Sequence, residues 1–167
     1  MPGRWPRVVL VVLVAAFAAG CASGGGRPRP FPTPGERAPS AAPAAPRAPG
    51  VIQTALELLG TPYRNGGADP SGFDCSGYIA YVFASEGVTL PRTVEDLYRA
   101  TVPVDEASAQ AGDLVFFTTV ARGPSHVGLA LGDGTFVHAP SSRGVVRVER
   151  LDERYWRQRF LGARRVP

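Results

Sequence analysis

Cys75, His126 and His138 are the residues of this 167-residue chain whose types and spacing could do nucleophilic chemistry. The chain holds two histidines and two cysteines, so an imidazole base for a cysteine nucleophile must be one of these two rings. A thiol attacks as its thiolate and needs a base within reach, with a third group to orient that base. Cys75 lies in Asp74-Cys75-Ser76-Gly77, after a Gly-rich approach and where a helical pattern begins. Unpaired N–H groups and the helix dipole favour negative charge at such a position, so the Cys75 thiolate is expected to be stabilised. A lone cysteine is more often a buried, inert one. Its setting, with histidines on later strands, argues for a nucleophile.

The elements that must position these groups follow from the apolar pattern. Residues 51–59 place Val51, Ala55, Leu58 and Leu59 on one helical stripe, and Gly60 stops it. Residues 60–73 read as a loop, with Gly66-Gly67 and Asp69-Pro70 within it. A second helix is predicted over 75–86, apolar at Ile79, Ala80, Val82 and Phe83, with Asp74 as N-cap and Gly87 past its end. Thr93 and Asp96 suggest a capping box opening a short helix over 93–99. The period then changes, and 113–118, 126–131, 135–139, 145–148 and 160–166 read as strands. Helices before strands indicate an α+β domain with a mostly antiparallel sheet packed against the helices.

The turn between the histidines fixes their relation. A two-residue Asp133-Gly134 turn would pair Gly132 with Thr135 and send His126 and His138 to opposite faces. A three-residue loop with Gly134 left-handed, forming a bulge, pairs Leu131 with Thr135 and puts both on one face. The bulged register also gathers Val127, Leu129, Leu131, Val137 and Ala139 on a core face and leaves Gly128 opposite His138. It is therefore the predicted one. The other face carries His126, Gly128, Ala130, Phe136 and His138, and its small residues are expected to admit the helix bearing Cys75. His138 is then placed to orient His126.

The amino-terminal segment reads as targeting. Arg4 and Arg7 precede an unbroken apolar run over 8–19, too short for the roughly 20 residues of a membrane-spanning helix. Ala18-Ala19-Gly20-Cys21 resembles the bacterial lipobox, with Ala18 where leucine is usual, and implies that Cys21 is lipidated. Residues 1–20 are thus expected to be a lipoprotein signal peptide and 21–49 a lipidated cysteine with an unfolded linker. Residues 22–49 include eight prolines and four glycines. Extended at ~3.1 Å per residue, that linker would reach about 85 Å from a membrane surface. A disulfide between Cys21 and Cys75 is the competing reading.

Residues 50–167 suffice for one domain with one core. The sequence pI is 9.6, yet six of the eighteen arginines precede residue 50 and the rest of the chain balances twelve arginines against thirteen acids. That balance argues against a nucleic-acid partner. The arginines over 143–165 interleave with Glu149, Asp152 and Glu153, as on a salt-bridged surface.

Specific motifs join these observations. They are Gly60-Thr-Pro-Tyr-Arg64, Gly66-Gly67, Ser71-Gly-Phe-Asp-Cys-Ser-Gly77, Leu90-Pro-Arg-Thr93, Gly112-Asp-Leu-Val-Phe-Phe117, His126-Val-Gly128, Phe136-Val-His-Ala139 and Gly162-Ala-Arg-Arg165. Together they resemble the NlpC/P60 family of papain-like cysteine peptidases, which cut peptidoglycan stem peptides. The resemblance implies Cys75 as nucleophile, His126 as base and His138 as orienting residue. It implies that the Tyr63 hydroxyl and the Cys75 N–H hold the oxyanion, and that Asp74 and Ser76 bind the amine side of the substrate. Asn65 departs from the family pattern, which often has an aromatic residue there. No metal or cofactor is called for, and with one cysteine and two histidines in the domain there is no zinc set to build.

The expected protein is a monomeric peptidoglycan endopeptidase of the cell envelope, anchored by lipid on Cys21. The anchor would be in the outer membrane if the source has two membranes, because Ala22 rather than aspartate follows the cysteine. A related amidase or acyltransferase and a catalytically silent wall-binding lipoprotein are the competing functions. The filled catalytic positions disfavour the silent reading.

Overall fold

The computed structural model describes residues 48–167, and the predicted signal peptide, the lipidation site Cys21 and nearly all of the predicted linker lie outside these residues. The first helix, α1 (Ala48–Glu57), begins two residues before the predicted domain start. Pro49 fits there because a first-turn residue has no intrahelical N–H bond to lose. Val51 and Ala55 are buried as predicted, whereas Leu59 falls beyond the helix and is exposed. The loop that follows contains a two-residue ribbon, β1 (Ala68–Asp69) paired with β2 (Gly72–Phe73). It leads directly into α2 (Cys75–Ser85) and then α3 (Val94–Ala100).

Both predicted caps form. Asp74 accepts from the Gly77 N–H at 2.7 Å, and Thr93 Oγ1 accepts from the Asp96 N–H at 3.2 Å while donating to Asp96 Oδ2. Each satisfies a first-turn donor that has no partner within the helix.

Six antiparallel strands build the main sheet. They are β3 (Val102–Val104), β4 (Leu114–Phe117), β5 (His126–Ala130), β6 (Thr135–His138), β7 (Arg147–Arg150) and β8 (Phe160–Arg165), with a one-turn helix, α4 (Arg154–Arg157), before the last. Their spatial order is β3-β8-β4-β5-β6-β7. The C-terminal strand thus inserts between β3 and β4. Arg165 ties it to Asp113 through two guanidinium bonds of 2.7 and 2.8 Å.

The β5–β6 hairpin adopts the bulged register. Leu129 pairs with Val137 and Ala130 with Phe136, the Leu131 N–H donates to the Thr135 carbonyl at 3.0 Å, and Gly134 has φ +83°. Each face of the sheet is covered. On one, Val127, Leu129, Val137 and Ala139 pack with Tyr78, Ile79, Val82, Phe83 and Leu97 of α2 and α3. On the other, Val115, Phe117, Ala130, Phe136 and Ala163 pack with Trp156 of α4.

This arrangement corrects the expectation that α2 approaches the histidine face. The body of α2 packs on the Val127–Leu129–Val137 side, while His126 and His138 face Trp156. The apolar residues of α2 need the larger apolar face, and an indole closes the histidine side. The last predicted strand before α4 is also displaced, to Arg147–Arg150 from the expected 145–148. Val145 and Val146 are engaged instead by the loop after α1, through the Pro62–Val145 bridge and reciprocal bonds of Gly60 and Thr61 with Val146.

Candidate active site

Cys75 is the first residue of α2, half-buried against the helix-side core. The loop before it is pinned, with the Asp74 N–H donating to the Gly67 carbonyl at 3.0 Å and the Arg64 N–H to the Phe73 carbonyl at 2.9 Å. A Cβ at Gly77 would stand 2.0 Å from the Gly67 carbonyl oxygen, so only glycine lets the first turn of α2 come this close to the loop.

The backbone N–H groups of Ser76, Val127 and Cys75 itself act on the sulfur and favour its charge. Val127 follows His126, so the sulfur meets β5 beside the histidine. Burial and the neighbouring Asp74 carboxylate outweigh these donors and push the Cys75 thiol up. The expectation of a stabilised thiolate is therefore reversed in the free protein.

His126 opens β5 and is paired across to Phe117. His138 ends β6 and is fully buried. Their rings meet as the bulged register requires, His126 Nε2 lying 2.7 Å from His138 Nδ1 with the planes nearly perpendicular. Trp156 stacks on His126 at 5.6 Å and meets His138 edge-on at 4.9 Å. Burial pushes the His126 pKa down to about 4. His138 is also held well below the ordinary imidazole value, by burial first and then by the charges of His126 and Arg147. Both rings are therefore neutral near pH 7, each with one N–H and one lone pair.

Tyr63, Asp74 and Ser76 gather at the start of α2. Tyr63 is fixed by a bond from its N–H to the Gly144 carbonyl at 2.7 Å and by a bridge to Phe73. Burial, together with the charges of Cys75 and Asp74, raises its hydroxyl pKa, so the phenol keeps its proton and can donate.

Arg92, which the sequence reading placed in a motif without a role, organises this corner. Its guanidinium donates to Asp74 Oδ1 at 2.9 Å and Oδ2 at 2.6 Å, to Ser76 Oγ at 2.9 Å and to the Gly67 carbonyl at 3.2 Å. Asp74 stays ionised because Arg92 and the Gly77 N–H overcome the burial that opposes its charge. Asp74 therefore presents an ion pair with Arg92, not an isolated carboxylate. Glu149 and Trp156 are the other residues that sequence reasoning passed over. The interleaved charges of 143–165 suggest a solvated Glu149, but its side chain points inward beside His138 and is 10% exposed. Among the described residues, no group of three or more His, Cys, Asp and Glu side chains forms a metal-ligand set.

A helix-borne cysteine packed on an antiparallel sheet, with a contacting histidine pair at a strand start and a neighbouring strand end, defines a papain-like α+β domain. The chain belongs to the NlpC/P60 family, a family of cysteine peptidases, whose model matches residues 60–165. Among curated proteins it is 39% identical over 116 residues to the murein DD-endopeptidase MepH of Escherichia coli K12, covering 66% of this chain and 43% of that protein. It is 43% identical over 115 residues to the probable peptidoglycan endopeptidase LytE of Bacillus subtilis 168, covering 69% of this chain and 33% of that one. The chain therefore matches less than half the length of either relative. A crystal structure of an NlpC/P60 family protein from Bacillus cereus superposes with a TM-score of 0.69 at 36% identity, covering 74% of this chain and 41% of that one.

Proposed function

We propose that this protein is a cell-wall hydrolase, a thiol-dependent endopeptidase that cleaves amide bonds in peptidoglycan peptides with Cys75 as nucleophile, His126 as base and His138 as its orienting partner. The observation that carries this reading is the 2.7 Å contact between His126 Nε2 and His138 Nδ1. It leaves His126 Nδ1 as the nitrogen available to the thiol. Relatives named as peptidoglycan endopeptidases support the substrate class.

In this mechanism His126 Nδ1 takes the Cys75 proton as the sulfur attacks the amide carbonyl, forming a C–S bond and a tetrahedral oxyanion. The Tyr63 hydroxyl and the Cys75 N–H donate to that oxyanion. Collapse breaks the C–N bond, and the imidazolium of His126 returns its proton to the leaving amine. Water, deprotonated by His126, then attacks the thioester and releases the carboxylate product and the thiol. Asp74 and Ser76, both held by Arg92, face the amine side of the substrate.

The reading extends to residues 1–47. A lipid on Cys21 and the proline-rich spacer would hold the enzyme on a membrane while letting it reach the immobile wall. A Cys21→Ala chain is expected to leave the membrane fraction, and retention there would exclude the lipid anchor. For the chemistry, full-length protein incubated with isolated sacculi is expected to release soluble muropeptides, and Cys75→Ala is not. Equal release by the variant would exclude Cys75 as the nucleophile. Mass spectrometry of the fragments identifies whether a γ-D-glutamyl bond or a D-Ala cross-link is cut.

A further inference from the structure

The two histidines need a proton arrangement that their mutual contact cannot choose. One N–H must lie between His126 Nε2 and His138 Nδ1, because two lone pairs or two protons would repel at 2.7 Å. In one arrangement His126 donates, His138 carries its own proton on Nε2, and His126 Nδ1 is a free lone pair. In the other His138 donates from Nδ1, which leaves His138 Nε2 bare and places the one N–H of the neutral His126 ring on Nδ1. Only the first can accept a proton from a thiol.

The far side of His138 distinguishes them. His138 Nε2 is buried and has no hydrogen-bond partner among the described residues. The group it faces is the Glu149 carboxylate, with Oε2 3.5 Å away. The sheet register places that carboxylate there. Glu149 pairs with Phe136 and Arg147 with His138, so Glu149 lies diagonally across from His138 on the same face. It is also held in place. Glu149 Oε2 accepts from Trp156 Nε1, and Arg147 Nε lies 3.0 Å from Oε1.

We propose that Glu149 is a positioning residue for the base, acting through His138 to hold the proton on His138 Nε2 and so to keep His126 Nδ1 unprotonated. A carboxylate accepts but cannot donate, so it attracts an Nε2–H and repels an Nε2 lone pair. A separation of 3.5 Å is long for the bond, as such contacts often are before substrate binds, but the electrostatic preference already acts at that distance. The same carboxylate would stabilise the imidazolium of His126 through the polarised His138 ring. The effect on turnover rests on the endopeptidase reading above, whereas the tautomer preference rests on the geometry alone.

Glu149→Gln separates a structural role from the positioning one. Its amide oxygen can stand in for Oε2 and still accept from Trp156, so packing is kept, while the negative charge that favours an Nε2–H on His138 is lost and the preference is weakened. In the full-length protein, long-range proton–nitrogen NMR of labelled histidines is expected to show protonated Nε2 and bare Nδ1 on both rings. In Glu149→Gln at least one ring is expected to shift toward Nδ1–H, with kcat on muropeptides falling about 10- to 100-fold, as for other outer-shell partners of a reactive group, and KM little changed. A wild-type His138 protonated on Nδ1 overturns the proposal, and does so even if the variant fails to fold. Unchanged tautomers with unchanged kcat in a folded Glu149→Gln also overturn it. If Cys75→Ala digests muropeptides as well as wild type, the endopeptidase reading fails, and the tautomer measurement still decides the role of Glu149.

Discussion

His126 is neutral in the free protein because a buried imidazolium would lack solvation, and its pKa is pushed down to about 4. Burial and Asp74 push the Cys75 thiol the opposite way. The resting pair is then a thiol beside a neutral imidazole, not a preformed ion pair. In the proposed mechanism protonation of His126 removes the base, and its lowered pKa delays that loss on acidification. The acid limb of kcat/KM is expected below pH 5, well under the ordinary histidine value of about 6.5. A limb at or above 6.5 would mean that His126 titrates without the lowering that burial produces. In the proposed mechanism Tyr63 has the complementary role, because its raised pKa keeps a donor where negative charge would develop. Tyr63→Phe keeps the ring and removes the hydroxyl, so kcat on muropeptides is expected to fall about 100-fold, as for loss of one oxyanion donor. A change confined to KM would mean that Tyr63 only binds substrate.

At the scale of elements, two glycines test how the site is held, for different reasons. Gly134 has φ +83° with nothing within 4 Å of an added Cβ, so Gly134→Ala meets only backbone strain. It is expected to lose about 1–2 kcal/mol in thermal or urea unfolding while the folded fraction keeps its turnover. Gly77→Ala instead drives a Cβ into the Gly67 carbonyl and must displace the first turn that carries Cys75. Its folded fraction is expected to lose most of its turnover, which unfolding curves and activity measured together will separate. The hairpin was legible in the sequence because its two registers differ in every side chain's face, and only the bulge gave a consistent apolar set. The caps at Asp74 and Thr93 were legible because they are local. The placement of β8 between β3 and β4 was not, since it depends on pairings such as Val104 with Ala163 that no local pattern encodes. The strand at 147–150 was misread because Val148 looks like the inward residue. In the structure Val148 is the exposed one, and Arg147 and Glu149 turn toward His138. The polar residues on that inner face line the histidine pair, so apolar patterning fails there.

The whole domain inherits a liability from its buried histidines. In the folded protein both rings are neutral over the range where an unfolded histidine, with a pKa near 6.5, gains a proton. Between roughly pH 6.5 and pH 4 the unfolded chain therefore binds more protons than the folded one, so stability falls as pH falls through that window. The slope can reach about 1.4 kcal/mol per pH unit for each histidine that stays neutral. Asp74 adds to the loss only at lower pH, because its folded pKa lies below the ordinary carboxylate value and its stabilising charge persists until it is protonated. The sheet concentrates this effect, since the histidine face is covered by Trp156, Phe117 and Phe136 and the fully buried His138 cannot be solvated without opening that face. Urea unfolding at pH 7, 5.5 and 4.5 is expected to show a steep decline in stability, and His138→Gln, which removes one titrating ring, a shallower one. A flat wild-type profile would mean that the pair already takes up a proton in the folded state. The same measurement decides how activity ends in acid: with His126 deprotonated down to about pH 4, turnover per folded molecule should persist while the folded fraction shrinks.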